Sequence, residues 1–97
     1  EFLQTRSGRE YSPIMLEYLL DGLQGFEDLQ LVQTRIDAVT LRVVPGHNFD
    51  SAVLDGFVAR LDEYCEHELA ISVEHVPEIP RTRRQKKQLV VSRLTPS

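Results

Sequence analysis

The sequence predicts an α+β domain in which two helices cover one face of a small, mostly antiparallel sheet, preceded by a short hairpin. Two segments, near residues 12–23 and 50–66, repeat apolar residues at helical spacing. Three others, near residues 29–34, 39–44 and 69–76, alternate apolar and polar residues, as strands with one covered face do. The chain of 97 residues is long enough for one such domain.

The chain opens with a predicted hairpin over residues 2–11, in which Gly8 can adopt the positive φ that its turn requires. A helix follows at once, because Ser12 is a favourable N-cap and Pro13 suits the first helical position. We assign its apolar stripe to the hydrophobic core. The stripe consists of Met15, Leu16, Leu19, Leu20 and Leu23.

Two predicted strands, residues 29–34 and 39–44, form the centre of the sheet. Gln30 and Gln33 lie in the first of them, and we interpret both as solvent-facing strand positions. A turn over residues 45–48 then leads into the second helix.

The second predicted helix covers about residues 50–66, with Asn48 or Asp50 as its cap. Cys65 continues the apolar stripe of this helix. Because no base lies nearby to activate its thiol, we assign Cys65 to the core rather than to catalysis. A third strand over residues 69–76 completes the predicted sheet.

Composition and charge exclude several classes of function. The net charge of −4 argues against general nucleic-acid binding, and no run approaches the roughly 20 apolar residues of a membrane span. No signal peptide is recognisable in the first residues, and one cysteine excludes an internal disulfide, so we expect a cytoplasmic protein. The histidines show no metal-binding spacing with Cys65, so no metal site is predicted; they are His47, His67 and His75.

Positive charge is concentrated in residues 81–87, which we name the basic segment and predict to be a loop. Five of these seven residues are basic and none is acidic. The first 80 residues hold all fifteen acidic residues but only five basic ones, so the basic segment is a positive feature on an acidic body. Such runs are usually solvated faces. This one lies between apolar segments, however, and phosphates and carboxylates are the natural ligands of a loop that holds cations.

Short motifs spread over residues 1–94 carry a resemblance to a known family. They are Glu1–Leu3, Gly8–Arg9 with Ser12–Pro13, Leu29–Gln33, Ile79–Lys87 and Val90–Ser92. In this order and spacing they resemble the C-terminal domain of adenylate-forming ligases. Within that family the chain is most similar to the phenylacetate–coenzyme A ligase type and to the related capsular polysaccharide biosynthesis proteins. Ile79–Lys87 resembles the family's Ile-x-Arg-Thr-x-x-Gly-Lys loop, and Leu29–Gln33 its Gln-x-x-Gln strand.

The resemblance implies a role for one lysine of the basic segment. In the family, the loop lysine contacts the substrate carboxylate and the α-phosphate of ATP while the acyl-adenylate forms. The matching position here is Lys86. Glu1 matches the stretch that follows the family's Gly-Arg hinge motif. Further candidates for contacting substrate or phosphate are Arg81, Thr82, Arg84 and Lys87.

The basic segment and the residue that follows it depart from the family's pattern at three positions. Gln85 stands where the family has glycine, which removes a backbone freedom that glycine provides. Gln88 stands where the family often has arginine. A second lysine, Lys87, leaves the assignment of the active lysine open between two neighbouring positions.

The resemblance also implies what surrounds this chain. Residues 1–97 would be the mobile C-terminal lid domain of an ATP-dependent acid–thiol ligase whose larger N-terminal domain is absent here. The full enzyme would use ATP with Mg²⁺, a carboxylic acid and coenzyme A, and this domain alone would be inactive. Without the N-terminal domain, we expect Pro80 to Lys87 to be exposed and poorly ordered, because five cations repel one another.

Two other functions compete with this interpretation, since small helix-on-sheet domains serve many purposes. The first is a free-standing α+β module that binds RNA or another anionic ligand through residues 81–87. Against it, the basic segment contains no aromatic residue on which a base could stack. The second is a structural oligomerisation domain whose sheet edge pairs between copies.

Overall fold

The computed structural model describes residues 1–81 and 88–94. Along these residues the chain forms a two-stranded hairpin, a helix, two long strands, a second helix and two further strands. The elements are β1 (Leu3–Gln4), β2 (Glu10–Tyr11), α1 (Pro13–Leu20), β3 (Phe26–Arg35), β4 (Ala38–Pro45), α2 (Ser51–Tyr64), β5 (Ala70–His75) and β6 (Val90–Ser92). The predicted α+β class and the N-terminal hairpin are confirmed.

The main sheet has four strands in the order β5-β4-β3-β6. β3 and β4 are antiparallel, whereas β5 is parallel to β4 and β6 is parallel to β3. The sheet is therefore mixed, where the sequence predicted a mostly antiparallel one. The physical reason is the connection between β4 and β5: α2 carries the chain back along the sheet before β5 begins, and such a crossover joins parallel strands.

Both helices pack on the same face of this sheet, as predicted. Alternate residues of β3 and β4 point to that face and meet the apolar sides of α1 and α2, together with Leu3 and Tyr11 of the hairpin. The buried residues that the sheet and helices contribute include Leu16, Leu29, Leu31, Val39, Leu41, Val43, Leu54, Phe57, Leu61 and Val90.

Local capping signals explain where the two helices begin. The Ser12 hydroxyl accepts a hydrogen bond from the Met15 backbone N–H at 3.2 Å, with Pro13 at the first helical position. In α2, Asp50 is the N-cap, since its carboxylate accepts from the Ala52 N–H at 2.9 Å. Of the two predicted caps for α2, Asp50 is therefore the one used.

The apolar stripes of the helices are not buried along their whole length. Leu16 is buried, but Met15 is 43% exposed, so its assignment to the core was wrong. Val53 at the start of α2 is also exposed. Both side chains lie in the first turn of their helices, beside Leu16 and Leu54, which are the buried residues of those turns. Met15 and Val53 therefore lie at the border of the buried face rather than on it. Neither described helix has the length and apolar character needed to cross a membrane.

Cys65 is fully buried at the end of α2, which confirms its assignment to the core. Burial raises the pKa of its thiol to about 11, and the negative charges of Asp62 and Glu68 act in the same direction. We expect iodoacetamide at pH 8 to alkylate Cys65 at least about 100-fold more slowly in the folded protein than in urea, because the thiolate is the reactive form. Mass spectrometry of timed samples measures both rates. Similar rates in the two conditions would contradict the buried position.

Candidate active-site segment and its anchors

The N-terminal end of the basic segment is anchored on the sheet face opposite the helices. Ile79 packs with Val44 and Val76 in a small second cluster, and all three are buried. Pro80 and Arg81, which follow, are exposed. The chain therefore leaves a fixed apolar contact and enters the basic segment within two residues.

Arg81 lies among carboxylates. It lines a surface cleft together with Glu27, Asp28 and Glu78. Three acidic residues on the same cleft lower the positive potential at Arg81, where the basic segment begins.

The C-terminal end of the basic segment is held by β3. The Leu31 N–H donates to the Leu89 carbonyl at 2.7 Å, and Val90 pairs with Leu31 in the parallel ladder. Further along, the Arg93 N–H donates to the Gln33 carbonyl at 2.7 Å. β3 is paired on both sides, so β6 is attached to an inner strand of the sheet.

Gln30 extends this attachment by one residue toward the basic segment. Its side-chain Nε2 donates to the Gln88 carbonyl at 3.1 Å, and its Oε1 accepts from Arg42 Nη1 at 3.5 Å. Gln30 is only 6% exposed, so its interpretation as a solvent-facing position was wrong. The Gln88 side chain in turn donates to the carboxylate of Glu1, which is exposed.

Gln33 performs a similar task for the hairpin. Its amide is fully buried and makes three hydrogen bonds: Oε1 accepts from the Gln4 N–H at 2.9 Å, and Nε2 donates to the carbonyls of Gln4 at 2.7 Å and Arg35 at 3.0 Å. The amide thus pairs with the backbone of β1 as a neighbouring strand would. The solvent-facing interpretation was wrong here too. Strand alternation carried the signal, since Gln33 shares the core face with Leu29 and Leu31.

The tip of the hairpin is fixed by the turn that follows α2. The Glu68 carboxylate accepts from the Ser7 hydroxyl at 2.8 Å and from the Ser7 N–H at 3.2 Å. The hydrogen bond from the Ser7 hydroxyl is the main reason that the pKa of Glu68 lies below its ordinary value. Arg9 pairs with Glu66 at 2.8 Å. No pattern in the sequence indicates these contacts, because the partners lie about 60 positions apart.

The structure places two of the predicted site residues. Arg81 is exposed at the acidic cleft, and Glu1 contacts Gln88 at the opposite end of the basic segment. The expectation that Pro80 to Lys87 are exposed and poorly ordered concerns mostly residues outside the described ranges. The remaining predicted site residues also lie outside these ranges. They are Thr82, Arg84, Lys86 and Lys87. The role of Lys86 stays a prediction.

The fold is similar to that of a solved ligase. The crystal structure of an open conformation of 2-hydroxyisobutyryl-CoA ligase, in complex with 2-HIB-AMP and CoA, matches with a TM-score of 0.57 and 21% sequence identity. The match covers 94% of this chain and 21% of that chain. At this identity the likeness shows a shared fold. A comparison with curated proteins finds no match.

The sequence itself matches a family model over nearly its whole length. The model describes the CapK C-terminal domain and matches residues 3–93. This range contains both helices, the hairpin and both anchors of the basic segment. The protein described here therefore belongs to the CapK C-terminal domain family.

Proposed function

We propose that this chain is the C-terminal lid domain of an ATP-dependent carboxylate ligase and supplies Lys86 to the step that forms the acyl-adenylate. The observation that carries the proposal is the family match over residues 3–93. A second observation supports it: the chain shares its fold with a part, about one-fifth, of a ligase that was crystallised with 2-HIB-AMP and CoA. Acyl transfer to coenzyme A would follow in the same enzyme, in the cytoplasm.

The chemistry of adenylation explains why a lysine is needed. A carboxylate oxygen attacks the α-phosphorus of ATP, a new P–O bond forms, and the bond to the β-phosphate breaks as pyrophosphate leaves. Two anions must therefore approach each other, and a fixed ammonium group stabilises the charge that builds up between them. Lysine suits this task because it carries a compact charge on a flexible stem.

The substrates of such a ligase would bind mostly outside this domain. The described residues contain no group of three or more His, Cys, Asp or Glu side chains able to hold a metal ion. We assign the binding of ATP with Mg²⁺, of the acid and of coenzyme A chiefly to the larger N-terminal part of the ligase, because this chain matches only 21% of the ligase that was crystallised with 2-HIB-AMP and CoA. This domain contributes Lys86, with Thr82, Arg84 and Lys87 as further candidates for phosphate or substrate contacts.

A free-standing RNA-binding module remains the main alternative, and the surroundings of Arg81 disfavour it. Three carboxylates line the same cleft as this arginine. They would repel a phosphate backbone at the very position where the basic segment meets the sheet.

The proposal is tested by comparing the full-length protein with residues 1–97 alone. We expect the full-length protein to catalyse acid-dependent exchange of pyrophosphate into ATP, with phenylacetate and 2-hydroxyisobutyrate as the first acids tested. Residues 1–97 alone should show no exchange, because the nucleotide site lies elsewhere. Exchange by the isolated domain, or a native reading frame without a preceding adenylate-forming domain, would overturn the proposal.

A further inference from the structure

We propose that Gln30 is a positioning residue for the adenylation lysine, because its side chain fixes the backbone at the C-terminal end of the basic segment. This inference rests on the function proposed above and adds a residue on a different element, 58 positions away from its partner Gln88. The family resemblance pointed to the strand that contains Gln30 but assigned no task to its side chain.

The strand that carries Gln30 is rigid. Gln30 lies on β3, which pairs with β4 on one side and with β6 on the other. Its register partner on β4 is Arg42, and its neighbour Leu31 pairs with Val90. A side chain that is 6% exposed on a doubly paired strand has little freedom to change rotamer.

The partners of the Gln30 amide fix its orientation. Arg42 can only donate hydrogen bonds, so the guanidinium must face the oxygen Oε1. The NH₂ group is thereby directed to the other side, where the Gln88 carbonyl can only accept. Arg42 is itself held near the carboxylate of Glu74, at 3.9 Å. The two partners thus allow one orientation of the amide.

Gln88 lies just before the strand pairing between β3 and β6 begins. Backbone pairing between β3 and β6 reaches Leu89, whose carbonyl bonds the Leu31 N–H. Gln88 precedes that ladder, and its carbonyl is bound by the side chain of Gln30 instead. Its other contact, from its side chain to Glu1, is exposed and contributes little. Gln30 is therefore the buried partner that extends the fixed backbone by one residue.

The anchored residue, Gln88, is two residues away from Lys86 in the sequence. The Cα atoms of two such residues are at most about 7 Å apart, so an anchor at Gln88 acts close to the lysine along the chain. A displacement of about 1 Å in a group that contacts the reacting atoms can cost roughly 100-fold in rate. Releasing the anchor should thus slow adenylation without removing any group that contacts ATP.

The test uses the full-length ligase with the variant Gln30→Met, which keeps the length of the side chain but removes its donor and acceptor. We expect acid-dependent pyrophosphate exchange to fall roughly 10-fold or more. Thioester formation from acyl-adenylate supplied ready-made should change less than about 2-fold, a split that general damage to the fold would not produce. Gln24→Met makes the same chemical change at an exposed loop position and should leave both steps unchanged.

A double-mutant cycle with Lys86→Ala separates this inference from the proposed function. The loss caused by Gln30→Met should vanish in the Lys86→Ala background, because no lysine is left to position. If Lys86→Ala slows exchange but Gln30→Met does not, or if the two losses multiply, the positioning role is overturned and the proposed function stands. If Lys86→Ala itself leaves exchange unchanged, the role proposed for Lys86 fails, and this inference fails with it.

Arg42→Met provides a second variant in case Gln30→Met does not fold. It leaves Gln30 in place and removes only the group that orients the amide, so exchange should fall in the same direction by a smaller factor. The positioning role would also be overturned if Arg42→Met folds and keeps the parent's exchange rate, while Gln30→Met either keeps that rate too or fails to fold.

Discussion

Replacing Lys86 by alanine in the full-length protein is expected to slow the proposed acyl-adenylate formation by roughly 10²–10³-fold, the usual loss for one electrostatic contact to a transition state. Pyrophosphate exchange at saturating ATP measures this step. ATP affinity should change much less, because most nucleotide contacts are proposed to lie in the other domain. Thioester formation from supplied acyl-adenylate should be nearly spared, since the small domains of such ligases rotate and present a different face for that step.

Lys87→Ala is the matched control, since it removes the same charge one position along the chain. A large loss for Lys86→Ala with a small loss for Lys87→Ala would support the alignment of the basic segment with the family's loop. The reverse pattern would move the role to Lys87. Equal losses would indicate a general electrostatic effect of the segment. If neither substitution slows adenylation, the change from glycine to Gln85 marks a segment that has lost its catalytic task.

The helices could be predicted from the sequence because their signals are local. Ser12 and Pro13 begin α1, and Asp50 begins α2, through contacts that span no more than three residues. Apolar spacing then identified the sides of the helices that face the core. The exceptions are Met15 and Val53, which continue the apolar pattern but are exposed, whereas their neighbours Leu16 and Leu54 are buried. Spacing alone does not reveal how wide the buried side of a helix is.

The direction of the outer strands could not be read in the same way. Alternation identified the segment that forms β5, but it is the same in parallel and antiparallel strands. The direction follows from the connections: α2 returns the chain before β5, and β6 is reached only after the chain has passed from one edge of the sheet to the other. The mixed sheet is thus a property of the tertiary structure. No local pattern in the sequence distinguishes it from the mostly antiparallel sheet that was predicted.

The candidate site shows the same division. The concentration of charge in residues 81–87 is visible in the sequence, but the groups that anchor it are not. Gln30 reaches a residue 58 positions away, and Gln33 reaches one 29 positions away. A glutamine inside a strand is ordinarily a solvent-facing residue, so only the three-dimensional partners distinguish these two from the common case.

The buried amide of Gln33 leads to the second large expected effect, which concerns stability. Gln33→Leu should lower the free energy of unfolding by about 2–4 kcal/mol, because it leaves the N–H and carbonyl of Gln4 and the carbonyl of Arg35 without their partner. Urea denaturation measures the difference. Gln4→Leu is the matched control: Gln33 uses only the backbone of Gln4, whose side chain is exposed, so this variant should stay within about 0.5 kcal/mol of the parent.

Gln33→Glu distinguishes the lost hydrogen bonds from lost packing, because it keeps the size of the side chain. An ionised carboxylate can still accept from the Gln4 N–H, but it cannot donate to the carbonyls of Gln4 and Arg35. Burial beside two carbonyl oxygens should raise the pKa of the introduced carboxyl above its value in the unfolded chain. The unfolded state then releases its proton first as the pH rises, so the stability of this variant relative to the parent should fall between about pH 4 and pH 7. A deficit that does not vary with pH over this range would show that the hairpin is held by packing of its apolar residues rather than by the Gln33 amide.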